Sequence, residues 1–142
     1  MREIYVPPCG PPQNGPSREL YGAMGRENII RMMEAVYIEL EKSELRPMFP
    51  GDMKAAAHRS ALFFVTVMGG PPLYAELVGP PRMRQRHLPF QIDEQARHVW
   101  LGCFKKALEN AENEFNFPPE HFPGFIRFLE EFSAWMVNSA PK

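Results

Sequence analysis

Prolines constrain the folding of this 142-residue chain more than any other feature. Sixteen are present, and they fall in groups that leave long proline-free segments between them. A proline removes a backbone donor and biases the preceding residue toward an extended conformation, so a helix is expected to end where such a group begins. The chain is therefore expected to form a series of helices joined by sharp corners.

The amino-terminal segment 1–16 carries five of these prolines and two glycines. Such a segment can neither sustain a helix nor bury much apolar surface. We predict a flexible, extended arm over 1–16 and a single domain over 17–142, in keeping with the length of the chain. The alternative is that Ile4, Tyr5 and Val6 pack on the domain.

Four long helices are predicted from apolar residues that recur at three- and four-residue steps. They run from Arg26 to about Lys42, from Asp52 to Met68, from Asp93 to Ala111, and from Phe122 to about Val137. A short helical turn between Ser17 and Gly25 precedes them. Between Pro72 and Ile92 we expect turns and at most one short helix, over Leu73–Val78. No segment alternates as a strand does, so the predicted class is all-α.

Composition excludes several classes of function. The 16 basic and 17 acidic residues give a formal charge of −1, which lacks the basic excess typical of nucleic-acid binding. No stretch approaches the roughly 20 apolar residues that cross a bilayer, and the amino terminus lacks the apolar run of a signal peptide. We expect a cytoplasmic protein without a membrane partner. Cys9 and Cys103 support neither a disulfide framework nor a thiolate metal cage.

The four histidines differ in their surroundings. His98 and His121 stand beside charged residues in amphipathic segments, where surface positions are expected. His87 lies among Arg84, Arg86 and apolar neighbours, so arginine forks and an imidazole can face an anionic ligand together. A solvated basic loop is the alternative interpretation of this segment. No HExxH motif or glycine-rich phosphate loop is present, which argues against zinc hydrolysis and nucleotide binding.

The second long helix has an uneven inward stripe. Its first half presents the small residues Ala56 and Ser60, whereas its second half presents Phe63 or Phe64 and Val67. Something other than a large neighbouring side chain can therefore fill the space beside Ala56 and Ser60.

Several motifs now combine in a fixed order along the chain. They are Tyr21–Gly25, Val36-Tyr37, Leu45–Pro50, Gly69–Tyr74, Gly79–Phe90 and, ten residues after Phe90, Trp100-Leu101. With these motifs the chain resembles the group II truncated haemoglobins over about residues 20–140. Two departures occur: Pro80 stands where the family usually has a histidine, and the corner between Tyr37 and Phe49 is one residue short.

The resemblance implies a two-over-two helical sandwich around haem b. It makes His87 the proximal iron ligand, which agrees with the neutral imidazole that commonly ligates haem iron. Arg84 and Arg86 are then expected to pair with the haem propionates. Phe63 and Phe90 are expected as further haem contacts, although Phe63 also suits ordinary core packing.

The resemblance also implies the side chains of the distal pocket, where the small ligand binds. Tyr37 offers a phenol and Trp100 an indole N–H, and Phe49 packs on the porphyrin. Ala56 leaves the usual distal gate open, and Ser60 adds a hydroxyl. His58 lies two residues beyond Ala56, a rotation of roughly 200° on a helix, so it should point away from the haem. Ordinary core packing remains the alternative for Tyr37 and Trp100.

Three functions are compatible with this site. The first is binding, storage or transport of dioxygen and related diatomics such as nitric oxide and carbon monoxide. The second is a haem enzyme, such as a nitric oxide dioxygenase, peroxidase or nitrite reductase, which would need an external reductase because the chain carries no flavin or nicotinamide domain. The third is a haem-free helical interaction module. Either a monomer or a homodimer is compatible with the sequence.

Overall fold

The computed structural model describes residues 2–140, and all regular elements in this range are helical. The α-helices are α1 (Leu20–Met24), α2 (Arg26–Lys42), α3 (Met53–Val67), α4 (Leu73–Leu77), α5 (Met83–His87), α6 (Glu94–Ala107), α7 (Ala111–Phe115) and α8 (Phe122–Met136), with single 3-10 turns at Arg46–Met48 and Pro119–His121. The all-α prediction is confirmed. Within the same range, no helix is long and apolar enough to span a bilayer.

Two of the long helices, α3 and α6, begin at an aspartate whose side chain caps the helix. The Asp52 carboxylate accepts from the Ala55 amide at 3.0 Å at the start of α3, and Asp93 accepts from Ala96 at 2.8 Å at the start of α6. Each aspartate satisfies a backbone donor that has no partner inside its helix. The two helices that carry much of the site are therefore fixed at their amino-terminal ends by local sequence.

The second half of the chain differs from the prediction in two places. The basic segment forms the short helix α5, where only turns were expected, and Arg82 precedes it in a left-handed conformation with φ of 32°. The helix expected to reach Ala111 ends at Ala107, and a turn leads into α7. Leu108 and Ala111 are both buried, so the apolar spacing continues across the turn and conceals it from pattern analysis.

The core lies between two pairs of helices. α2 packs on α3, α6 packs on α8, and α2 also contacts α6, which joins the pairs. Phe104 and Phe125 are fully buried at the centre. Apolar residues that recur along α2 are buried, among them Ile29 and Val36. This stacked arrangement leaves room between the pairs near α5.

The amino-terminal arm runs alongside the segment that follows α8. The Tyr5 amide donates to the Asn138 carbonyl at 3.0 Å, and Pro7 is buried, whereas Ile4 and Val6 are exposed. No helix forms over residues 2–16. Residue 1 of the predicted arm and residues 141–142 of the predicted domain lie outside the described range.

Candidate functional site

A cavity of about 380 Å³ opens between the two helix pairs. This volume falls in the range typical of small-molecule and cofactor sites, roughly 300–1,000 Å³. Nine of the ten predicted site residues line it: Tyr37, Phe49, Ala56, Ser60, Phe63, Arg86, His87, Phe90 and Trp100. The tertiary structure thus brings together side chains from α2, α3, α5, α6, the corner after α2 and the segment after α5.

His87 offers this cavity a metal-ligating nitrogen. Its Nδ1 lies 2.6 Å from the Met83 carbonyl oxygen, and because a carbonyl only accepts, Nδ1 carries the hydrogen. Burial lowers the pKa of His87, so the ring is neutral at pH 7. A neutral ring protonated at Nδ1 leaves the Nε2 lone pair free. Histidine ligands to metals usually have such a partner at the other nitrogen.

The other histidines do not line the cavity. His58 and His98 are exposed, and His121 bonds Glu19 at 3.1 Å on the surface. Their predicted positions agree with this placement. Over residues 2–140 no cluster of three His, Cys, Asp or Glu side chains suits a metal ion. A metal in the cavity would therefore take its imidazole ligand from His87.

Tyr37 supplies a polar group within the apolar lining. Its hydroxyl lies 2.5 Å from Ser60 Oγ, and its ring meets Phe49 edge-on with centroids 5.5 Å apart. Burial raises the pKa of Tyr37, while the Ser60 hydrogen bond and the Arg59 charge oppose the shift in part. The side chain is therefore a phenol at neutral pH and can donate a hydrogen bond.

Trp100 brings a second donor to the cavity from α6. Its ring packs on Phe104 with centroids 4.5 Å apart and on Phe132 with centroids 6.2 Å apart. Its indole N–H donates to none of residues 2–140. Since an indole nitrogen is a donor only, this N–H is free to bond a ligand. Tyr37 and Trp100 thus reach one cavity from different helices.

The prediction for the two arginines needs a correction. Arg86 lines the cavity, and its guanidinium donates to the Pro80 carbonyl at 2.8 Å and lies 5.4 Å from the Tyr74 ring centre. Arg84 does not line it and instead bonds backbone carbonyls, including Val137 at 2.8 Å. The segment is helical, and residues two apart on a helix diverge by roughly 200°, so the two arginines cannot share a face.

Arg59 lines the cavity although it was not predicted. It is exposed, it precedes Ser60 on α3, and its charge acts on the Tyr37 phenol. Its spacing in the sequence could have indicated this position. Arg59 follows Ala56 by three residues, and residues three apart are neighbours on one helix face. Arg97 of α6 also lines the cavity without having been predicted, but it is paired with Glu94. The cationic groups of the lining that have no acidic partner among the described residues are therefore Arg59 and Arg86.

These helix pairs around an apolar cavity with one partly buried, neutral imidazole define a globin-type ligand-binding protein. The chain belongs to the bacterial-like globin family, whose sequence pattern matches residues 19–134. Membership implies haem-based binding of small gas ligands such as oxygen.

Relatives within this family are truncated haemoglobins. The group 2 truncated hemoglobin of Bacillus subtilis (strain 168) is 36% identical over 91 residues, which cover 63% of this chain and 69% of that protein. Two-on-two hemoglobin-3 of Arabidopsis thaliana is 31% identical over 96 residues, 65% of this chain and 55% of its own length. The group II resemblance is thus confirmed.

Solved globin structures, among them a truncated haemoglobin, have the same fold. Phosphate-bound Hell's gate globin IV superposes with a TM-score of 0.84 at 36% identity, covering 93% of this chain and 82% of that one. The truncated oxygen-avid haemoglobin from Bacillus subtilis gives a TM-score of 0.76 at 33% identity, covering 83% and 98%. The predicted truncated globin fold is confirmed.

Proposed function

We propose that this chain holds haem b in the cavity through His87 and binds dioxygen and other small diatomic ligands there. When bound, haem supplies an iron atom with a coordination position for such a ligand. Tyr37 and Trp100 donate hydrogen bonds to the ligand, and Ser60 orients the Tyr37 hydroxyl. The observation that carries this proposal is the neutral His87 imidazole, with Nδ1 on the Met83 carbonyl and Nε2 free in an apolar cavity.

The cavity fits haem b in its chemistry. Phe49, Phe63 and Phe90 give it the aromatic walls that suit a flat, apolar macrocycle. Haem b carries two carboxylates. The guanidinium of Arg59 pairs with one of them and that of Arg86 with the other. The small Ala56 side chain is buried against the cavity and leaves space on the α3 side.

Titration of the haem-free protein with ferric haem b tests this proposal. We expect an intense Soret band that saturates at one haem per chain, and a ferrous form that binds dioxygen and carbon monoxide with distinct spectra. If no saturable band forms, the proposal is wrong and a haem-free interaction module becomes the better interpretation.

A haem enzyme is the second candidate, and the presence of Tyr37 and Trp100 in one cavity is the observation that favours it. A phenol and an indole beside a bound haem can support peroxidase or nitrite chemistry. This function requires electrons from an external reductase. Sustained turnover of nitric oxide, peroxide or nitrite with such a reductase would support the enzyme, whereas a single stoichiometric reaction would support ligand binding.

Replacing Arg59 and Arg86 together with methionine is expected to accelerate haem loss by a few-fold to roughly tenfold. Partly exposed ion pairs contribute about 1 kcal/mol or less each, so the protein should still fold and take up haem. Haem transfer to an acceptor globin measures the rate. Arg18→Met is the matched control, because Arg18 is exposed and does not line the cavity. Equal rates for the double variant and the wild type would contradict the assignment.

A further inference from the structure

The helix that carries His87 is too short to be stable without contacts to the rest of the protein. α5 has five residues, and helices of this length are unstable without tertiary contacts. The last carbonyls of a helix also lack partners within it. In this structure the carbonyls of His87, Leu88 and Phe90 accept bonds from side chains far away in the sequence.

Asn138, just beyond α8, supplies two of these bonds. It is fully buried, and its Nδ2 donates to the carbonyls of His87 at 3.2 Å and Phe90 at 2.9 Å. Its Oδ1 accepts from the Ile92 amide at 2.9 Å and from the Arg2 guanidinium at 2.7 Å. Both amide hydrogens and the carbonyl oxygen of this side chain are thus used.

The amino-terminal arm supplies the remaining bonds through Arg2. Its guanidinium donates to the Leu88 carbonyl at 2.6 Å and to the Phe90 carbonyl at 3.1 Å. The arm is held in place by the bond between the Tyr5 amide and the Asn138 carbonyl. The arm therefore lies across the end of α5 and contacts it by directed, charge-assisted hydrogen bonds.

Arg84, a residue of α5 itself, adds further bonds to the end of α8 and to the arm. Its guanidinium donates to the carbonyls of Trp135, Val137 and Tyr5, the last at 2.7 Å. It also stacks on the Trp135 ring, 4.6 Å from the ring centre. The short helix is thus tied to the end of α8 and to the arm by one of its own residues.

We propose that Arg2, Arg84 and Asn138 form a terminal clasp that sets the pose of His87 in the cavity. None of the three lines the cavity, so each acts through α5 as a positioning residue. The inference rests on the proposed function, in which His87 holds the haem iron. It gives the proline-rich arm a role: to orient the axial ligand and slow the loss of haem.

Asn138→Asp tests the clasp with almost no change in side-chain volume. A carboxylate oxygen replaces Nδ2 and faces the carbonyls of His87 and Phe90 without a hydrogen to donate. In the ferrous haem protein we expect the iron–histidine stretching band in the resonance Raman spectrum to shift or broaden. Haem loss should accelerate by roughly tenfold, the low end of the effect of groups that orient a metal ligand. Asn113→Asp is the matched control, because Asn113 is exposed on α7 and bonds only Asn110.

Arg2→Met tests the clasp independently, by a change in the amino-terminal arm. It also allows the inference to be tested if Asn138→Asp does not fold. It removes the donors to Leu88 and Phe90 from a partly buried surface position. We expect the same spectral change and a smaller, roughly threefold acceleration of haem loss, because Arg2 is only partly buried and water can replace part of what its bonds contribute. Arg2→Lys keeps the positive charge and an ammonium group that can donate to one of these carbonyls. Its haem-loss rate should therefore lie between those of Arg2→Met and the wild type.

Hydrogen exchange of the haem-free proteins gives a readout without haem. Amides of residues 83–90 should exchange faster in Asn138→Asp and Arg2→Met than in the wild type, while those of α2 stay unchanged. If both variants have the same Raman band, haem-loss rate and hydrogen exchange as the wild type, the clasp is wrong and the proposed function still stands. A wild-type protein with no iron–histidine band would overturn the proposed function itself, which separates the two failures.

Discussion

Replacing His87 with alanine is expected to abolish stable haem uptake. The cavity presents its imidazole from this one position, with Nε2 free and the ring neutral. Changes to groups that merely orient a metal ligand weaken affinity about 10–100-fold, so removal of the ligand itself should cost more than about 100-fold. The ferrous spectrum and the rate of haem transfer to an acceptor globin measure the effect.

The remaining histidines serve as matched controls for this change. His58→Ala, His98→Ala and His121→Ala should keep the wild-type ferrous spectrum, because none of these side chains lines the cavity. His87→Gly should regain a ferrous spectrum when free imidazole is added, since the vacated space admits the ring alone. A normal ferrous spectrum in His87→Ala without added imidazole would show that another residue holds the iron.

Removing a hydrogen-bond donor from the distal side is expected to speed dioxygen release by a few-fold to roughly tenfold or more. Tyr37→Phe deletes a partly buried phenol, and Trp100→Phe deletes an indole N–H with no other partner in the described chain. Bound dioxygen carries partial negative charge, and a hydrogen bond contributes about 0.5–1.5 kcal/mol, more to a charged acceptor. Stopped-flow measurement of dioxygen dissociation tests both variants.

Carbon monoxide separates lost hydrogen bonding from lost packing. It is a weak acceptor when bound, so its dissociation should change much less than that of dioxygen. Trp100→Phe also opens a small cavity, which would affect both gases alike. Tyr21→Phe is the control for the phenol, because Tyr21 does not line the cavity. Equal changes for the two gases would contradict the assigned donors and favour Ser60 or a trapped water.

The long helices were predictable because their signals are local. Apolar periodicity marks α2, α3, α6 and α8. Proline or glycine lies at an end of α2, α3 and α8, and Asp52 and Asp93 cap α3 and α6. α5 was missed because it has only five residues and no apolar stripe that could be read as a helix. Its stability comes from contacts with distant segments, which a periodicity analysis does not contain.

Most of the site could also be predicted, since motif order identified nine residues that line one cavity. The direction of long charged side chains could not. Arg84 and Arg86 look equivalent in the sequence, but the helix between them sends one to the cavity and the other to the end of α8. Arg59 reaches the cavity from a position that carries no motif of its own.

The sequence by itself therefore determined the helical class and the four long helices, because each depends on spacing within one segment, and it pointed to His87 through the order of motifs along the chain. Only the tertiary structure decided what surrounds His87. Arg2 and Asn138 are 136 positions apart and still share a 2.7 Å hydrogen bond beneath α5. Such a contact exists only after the helix pairs have packed, because packing removes water and leaves buried carbonyls that a distant donor must satisfy.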